Sequence, residues 1–329
     1  MLSLWDEVRI VPLDATAGRH MQKASLYRRF SRSVYKYWPY YVMLLPAIAY
    51  FVIFCYGPMY GVQIAFKDFR IKKGFSGSPW ASPLLKYFAQ FFESYYAWNI
   101  VRNTLVLSIY GLVAGFPIPA ILALSMDEMR HNRIKKVVQT ITYAPNFIST
   151  VVVCGMILSF TNQTSGIINN LIVRLGGEPV AFMYKEGLFP HIYVWTGIWQ
   201  STGWSSVIYF AALSGIDTQL LEASTLDGAS RWQKILYVKI PTILPIIIIQ
   251  LILNAGSLLH VGYEKVYLLQ NSLNLNASEV ISTYVYKRGM IDAQYSFSTA
   301  VGLAQSIVSF VMVFLVNAIA GRLSETSLW

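Results

Sequence analysis

The sequence predicts an all-α polytopic membrane protein with six transmembrane helices and both termini on the cytoplasmic side. Three observations carry that prediction. The 329 residues are 55% hydrophobic, 15% aromatic and 13% charged, with a mean hydropathy of +0.46, which is too apolar for an ordinary soluble protein. Six stretches approach the roughly 20 mostly apolar residues that a helix needs to cross about 30 Å of hydrocarbon. Lys and Arg are shared unequally between the joining loops, which sets an orientation.

The six stretches lie near residues 39–64, 103–125, 137–160, 190–214, 241–264 and 298–320. They make 39–320 the transmembrane domain, flanked by an N-terminal segment (1–38) and a short tail (321–329). Pro46, Pro58, Pro117, Pro119, Pro145 and Pro245 fall inside them. Membrane bundles tolerate such prolines where neighbouring helices satisfy the freed carbonyls. The segment before the first span holds seven cations, the 127–136 loop four, the 215–240 loop three and the tail one, against nine on the opposite side. The richer side is assigned to the cytoplasm. Lys67, Arg70, Lys72, Lys73, Lys86, Lys287 and Arg288 then face outward, where they would attract an acidic partner or substrate.

The first 38 residues are polar and basic, and no removable signal peptide is evident. Arg28, Arg29 and Arg32 alternate with Tyr27, Phe30, Tyr35, Tyr37 and Trp38, a composition suited to an interfacial helix resting on anionic lipid headgroups. Cys55 and Cys154, the two cysteines, fall inside predicted spans and read as small buried hydrophobes rather than a disulfide or metal pair.

A formal charge of +10 raises the question of nucleic acid, but the cations follow membrane topology and no motif for reading bases or phosphates occurs, so no nucleic-acid partner is expected. No enzyme signature is present either. His20, His131, His191 and His260 are scattered, and neither H-E-x-x-H nor G-x-S-x-G occurs, so no catalytic residue and no metal site is expected. The dipeptide Gly-Lys is absent, which rules out a phosphate-cradling loop ending in G-K-S/T. Any ATP that drives this chain must be bound by another polypeptide.

The most informative segment is the polar stretch from Glu222 to Pro245, EASTLDGASRWQKILYVKIPTILP, wedged between two apolar spans. It reads as two short helices meeting at a glycine. Asp217 caps the first, and Gly228 supplies the permissive backbone where that helix stops. Ser230 and Gln233 form a capping box that starts the second, and Pro241 breaks or kinks the run before the next span. The resulting elbow stands outside the bilayer. Glu222, Asp227, Arg231 and Trp232 beside Ala223 and Ser224 suit it to a groove on a cytoplasmic partner, an ordinary solvated loop being the plainer alternative.

This segment resembles the EAA loop of the permease subunits of binding-protein-dependent ABC importers: E-A-A, three residues, G, nine residues, I-x-L-P. Glu222, Ala223, Gly228, Val238, Ile240 and Pro241 match in register, with Ser224 in place of the third-position alanine. The resemblance extends through MLLPAIAYFVIFCYGPMYGVQIAFKDF (43–69), GIINNLIVRLGG (166–177) and most of 262–310, which look like the LplB-like poly- and oligosaccharide permeases, and within them the alginate-importing branch. It does not reach the first 24 residues.

The resemblance implies the type I ABC importer permease fold in a bacterial inner membrane. It makes 217–241 the coupling loop, with Glu222 through Gly228 docking on an ATPase subunit. The implied partners are a second permease, in this family usually a related but different chain, two ATPase subunits carrying ATP and Mg, an extracytoplasmic sugar-binding protein, carbohydrate and membrane lipid. Loops 67–98, 161–189 and 269–297 would receive the binding protein. The 161–189 segment, with Ile167, Ile168, Leu171, Ile172 and Leu175 on one side, could equally lie flat on the outer membrane surface.

Sugars present apolar C–H faces and rings of hydroxyls, which aromatic platforms beside amide side chains suit. Tyr193, Trp195, Trp199, Gln200 and Trp204 in the fourth span are candidates, with interfacial anchoring and packing as the competing reading. Asn254, Ser257 and His260 recur with Glu264 at near-helical spacing in the fifth span, and Asn146 interrupts the third beside Pro145. Polar groups inside a bilayer are costly, so some of these should face a cavity, although interhelical hydrogen bonding explains Asn254 and Ser257 nearly as well. The competing class is an autonomous secondary transporter or channel for sugars, which would require matching interrupted spans that are not seen.

Overall fold

The computed structural model describes residues 35–324, and the chain divides into two units between Val62 and Gln63. The predicted interfacial arginines, Arg28, Arg29 and Arg32, lie outside the described residues, as do residues 325–329 of the tail. Among the described residues the architecture is helical, with a single isolated bridge between Lys67 and Trp80.

Helix α1 (Tyr35–Phe66) is the first predicted span. It absorbs Pro58 through a π-helical turn at Phe51–Tyr56, whose wider hydrogen bond runs from the Gly57 N–H to the Val52 carbonyl. A wider turn before a proline lets the helix run on although the ring has no N–H to give. Cys55 is exposed on this helix rather than buried as expected, whereas Cys154 is buried.

The second unit carries α2 (Lys86–Phe92), α3 (Ala97–Asp127), α4 (Asn132–Tyr143), α5 (Thr150–Phe160), α6 (Ile167–Arg174), α7 (Phe189–Ser214), α8 (Thr218–Leu226), α9 (Arg231–Gly256), α10 (Tyr263–Leu269), α11 (Ile281–Tyr286) and α12 (Tyr295–Ser324). Among the described residues four helices are long and apolar enough to cross a membrane: α1, α3, α9 and α12. A fifth crossing is counted if a bent pair is one span.

That bent pair covers the third predicted span, 137–160, which the structure divides into two helices at the proline-containing stretch. Asn132–Phe147 and Thr150–Phe160 meet at 99°. Pro145 withholds a donor, Ile148 and Ser149 are extended, and the Ser149 hydroxyl caps the new helix by accepting from the Val152 N–H at 3.4 Å. The fourth predicted span is a continuous 26-residue helix, α7, yet its His191, Tyr193, Gln200 and serines leave it short of the apolarity of the other four.

The fifth span is displaced from its predicted bounds. It starts at Arg231 and ends at Gly256, so Ser257 is its C-terminal cap and His260 and Glu264 lie beyond it. The shift has a local cause. Pro241 was expected to break or kink the chain, but a π turn at Ile235–Lys239 precedes it, and the Ile240 N–H reaches the Ile235 carbonyl. The predicted second helix of the elbow is therefore the first turn of α9.

Apolar side chains gather in three clusters. Phe91, Ala97, Ile100, Tyr284 and Phe297 join α2, α3, α11 and α12. Leu107, Val153, Phe189, Val266 and Val280 join the middle of the unit. Ala123, Tyr209, Leu213, Ile216 and Ile243 join the ends of α3 and α7 to the middle of α9, and Leu221 of α8 packs against them.

Candidate functional site

The elbow is built by local chemistry. Asp217 accepts from the Gln219 N–H at 2.9 Å and starts α8. At the other end the Ala229 N–H reaches the Ser224 carbonyl at 3.0 Å and the Gly228 N–H reaches the Thr225 carbonyl at 3.1 Å, a Schellman closure that requires the left-handed φ of +79° found at Gly228. Ser230 and Gln233 then form the expected capping box, the Ser230 N–H donating to Gln233 Oε1 at 2.7 Å. Lys234 Nζ bonds Thr225 Oγ1 at 2.7 Å and staples α9 back onto α8.

One face of α8 is anchored by Leu221, and the remainder is open. Glu222, Ala223, Asp227, Gly228, Arg231 and Pro241 are exposed, Ser224 is half-buried, and Leu226 and Trp232 are 89% and 71% exposed. A large leucine and a tryptophan left bare beside a carboxylate and a guanidinium form a surface suited to a partner protein.

Beneath the elbow, buried Lys239 of α9 bonds Asp127 at 2.6 Å and also Glu128, at the end of α3. Sequence reading placed all three on the cation-rich side but did not connect them. The ion cluster ties the elbow-bearing helix to the second predicted span.

A cavity of about 650 Å³ lies between α3, α7, α9 and α10. Tyr193, Gln200, Trp204, Asn254, Ser257 and His260 line it, whereas Asn146, Trp195 and Trp199 do not. The division follows the helix: 193, 197, 200 and 204 form one stripe of α7, and Trp195 and Trp199, about half exposed, point elsewhere. Trp195 Nε1 donates to Tyr110 Oη at 2.8 Å, Trp204 meets Phe147 edge-on at 5.8 Å, and Gln200 Nε2 donates to the Ile148 carbonyl at 3.0 Å. Lys265, Ser108 and Gln250 also line the cavity and were missed in the sequence, Lys265 because it stands just past a predicted span boundary.

At the far side from the elbow, the three loops 67–98, 161–189 and 269–297 converge. Ser296 Oγ donates to the Lys67 carbonyl at 2.6 Å, Asn271 and Asn274 donate to the Met183 carbonyl at 2.9 and 3.0 Å, and Asn103 of α3 donates to the Asn276 carbonyl at 2.6 Å. The amphipathic α6 leaves Ile167 and Leu171 exposed and turns Asn169 inward. Several of the cations expected to face outward are engaged. Lys67 is buried over the Trp80 ring, Lys86 pairs with Asp68, Lys287 with Glu279 and Arg288 with Asp292, while Arg70, Lys72 and Lys73 are exposed with no ion pair among the described residues. Hydrogen bonds from Tyr87 and Lys86 hold the Asp68 carboxyl below its usual range.

Residues 115–325 match the family described as "Binding-protein-dependent transport system inner membrane component". Two Bacillus subtilis (strain 168) proteins are each 39% identical over 289 residues: the polygalacturonan/rhamnogalacturonan transport system permease protein YteP and protein LplB. The alignments cover 88% of this chain and 89% and 90% of theirs. Among solved structures, a bacterial ABC transporter involved in the import of the acidic polysaccharide alginate is 36% identical with a TM-score of 0.83, covering 90% of this chain and 99% of that one. A bacterial alginate ABC transporter in complex with alginate pentasaccharide-bound periplasmic protein matches with the same identity and TM-score over 91% and 100%.

Proposed function

This chain belongs to the binding-protein-dependent transport system inner membrane components, and on that premise we propose that it forms half of the conduit of an importer for acidic poly- or oligosaccharide, driven by ATPase subunits on other chains. It is the permease of a binding-protein-dependent ABC sugar importer, resident in the inner membrane. The acidic substrate rests on two relatives named for polygalacturonan and alginate, and on the cavity. Tyr193 and Trp204 offer faces for sugar rings, and Gln200, Asn254 and Ser257 offer hydrogen-bonding groups.

The observation that carries the coupling role is the bare surface of α8, closed at Gly228 and anchored through Leu221 and the Lys234–Thr225 bond. Glu222, Ala223, Ser224, Asp227, Arg231 and Trp232 would sit in a groove of the ATPase, on the cytoplasmic side together with both termini. The converged outer loops would receive the binding protein. ATP binding on the partner chains draws two such elbows together and opens the cavity outward, and hydrolysis reverses it. A ligand shifts an equilibrium only through contacts that differ between states, and the α8 surface supplies them. With Gly-Lys absent from this chain, ATP and Mg belong to the partner.

The test is reconstitution of this chain with a second permease, the ATPases and the binding protein in proteoliposomes. Oligouronate entry that requires ATP and binding protein supports the reading. Entry without ATPase subunits would make the chain an autonomous carrier, and entry confined to neutral sugars would remove the acidic specificity.

A further inference from the structure

Three lysines are buried among the described residues, and two have an evident structural use. Lys239 is neutralised by Asp127 and Glu128. Lys67 lies in an outer loop, giving a hydrogen bond to the Phe75 carbonyl at 2.6 Å and resting over the Trp80 ring. Lys265 is different. It is 8% exposed, it lines the cavity between α3, α7, α9 and α10, and among the described residues no carboxylate lies within 4.0 Å of its ammonium. Its neighbour Glu264 is exposed and forms no ion pair with it.

The ammonium donates to the Tyr193 carbonyl at 2.9 Å and stands 5.0 Å from the Tyr193 ring centroid. A Cβ on Gly197 would come 3.3 Å from Nζ, so this glycine leaves the ammonium its place against α7. A carbonyl and a ring attract a cation without cancelling its charge, and an ammonium has three donors. Burying a charge without a counter-ion is costly, and in membrane proteins such groups mark substrate paths. A polar group without a partner shares the cavity wall: among the described residues Ser108 Oγ is buried with no hydrogen-bond partner.

We propose that Lys265 is a specificity-determining residue that supplies the counter-charge to a uronate carboxylate held in the cavity, with the Tyr193 ring beside it. This rests on the acidic-sugar reading and deepens it. The ligand's carboxylate completes an ion pair that the chain leaves open, and a neutral sugar gains nothing from it. A charge-assisted hydrogen bond in such a site corresponds to a loss on the order of 10- to 100-fold when the charge is removed.

The experiment compares wild type, Lys265→Met and Lys265→Arg in the reconstituted complex, measuring assembly, basal ATPase and ATP-driven uptake of an oligouronate over a concentration series. Support is a 10- to 100-fold fall in uptake efficiency for Lys265→Met, with assembly and basal ATPase unchanged and with Lys265→Arg retaining most activity. Lys265→Gln, which keeps an N–H donor without the charge, replaces the Met variant should the latter fail to assemble, and the same fall is expected. Uptake at wild-type efficiency without the charge would overturn the proposal, as would a loss of assembly or basal ATPase in both uncharged variants, which marks a structural lysine. Wild-type complex that imports only neutral sugar fails the parent reading instead, and is recognised before any variant is made.

Discussion

Gly203 of α7 lies directly on the backbone of Thr142 in α4: a Cβ built on the glycine would stand 1.9 Å from the Thr142 carbonyl oxygen and 2.9 Å from the Tyr143 nitrogen. The obstacle is main chain rather than the end of a flexible side chain. The approach seats α7 against the bent pair just before its break, and Gln200 one turn earlier holds the Ile148 carbonyl beyond it.

Gly203→Ala should therefore displace one helix from the other. Overpacking of this kind typically costs about 1–3 kcal/mol, and a backbone obstacle puts this site at the upper end. Gly155→Ala is the control, since nothing lies within 4 Å of a Cβ there. Thermal unfolding of the solubilised complex should fall for Gly203→Ala and hold for Gly155→Ala; equal melting would mean the crossing is looser than the contact indicates.

Asn169 offers a second prediction. It is 1% exposed, and its Nδ2 donates to the carbonyls of Asn162 and Val180 at 3.0 and 2.9 Å while its Oδ1 accepts from the Val180 N–H at 2.7 Å. One side chain fastens α6 to the loops on either side. Asn169→Asp removes both donors and sets a carboxylate against carbonyl oxygens, so it should be worse than Asn169→Ala. Leaving buried groups unpaired costs about 1–3 kcal/mol each. Limited proteolysis of the 161–189 segment should quicken in that order, and parity of the aspartate variant with wild type would refute the account.

What could be read ahead of the structure was local. Asp217, Gly228, Ser230 and Gln233 act within a few residues of themselves, so their caps were predictable from spacing alone. Apolar runs gave α1, α3 and α12 because bilayer thickness constrains their length. The failures are equally physical. Whether Pro241 ends a helix depends on a π turn upstream, which sequence pattern does not announce. The break at Ile148 and Ser149 depends on α7 filling the angle, and the cavity stripe of α7 could not be told from its opposite face, since tryptophans occur on both. Lys265 is flagged by no local pattern: its meaning comes from its burial in the cavity wall without an ion pair among the described residues.

The Lys239 cluster predicts a specific order of variants. Lys239→Met leaves Asp127 and Glu128 facing one another without their cation. Breaking a buried pair costs on the order of 3–5 kcal/mol, less here because the two carboxylates are 22% and 27% exposed. Asp127→Asn leaves Glu128 as partner and should cost less. Combining Lys239→Met with Asp127→Asn and Glu128→Gln should recover part of the loss, since no charge is then stranded. Melting temperatures that place the triple variant below Lys239→Met would contradict the ion-cluster account.

The elbow makes the prediction closest to function. At Gly228 a Cβ meets no atom within 4 Å, so any effect of substitution comes from the backbone, whose φ of +79° costs most side chains about 1–2 kcal/mol. Asn tolerates the left-handed region and alanine does not, which allows strain to be separated from contact. If α8 transmits the ATPase movement, Gly228→Ala should lower the sugar imported per ATP hydrolysed while the binding protein still docks, and Gly228→Asn should stay near wild type. Glu222→Ala tests the exposed surface rather than the hinge, and should lower the same ratio without changing the unfolding temperature, because its side chain is exposed and forms no ion pair among the described residues. Measuring uptake and hydrolysis on the same vesicles decides it: an unchanged ratio in both Gly228→Ala and Glu222→Ala would remove α8 from the coupling path.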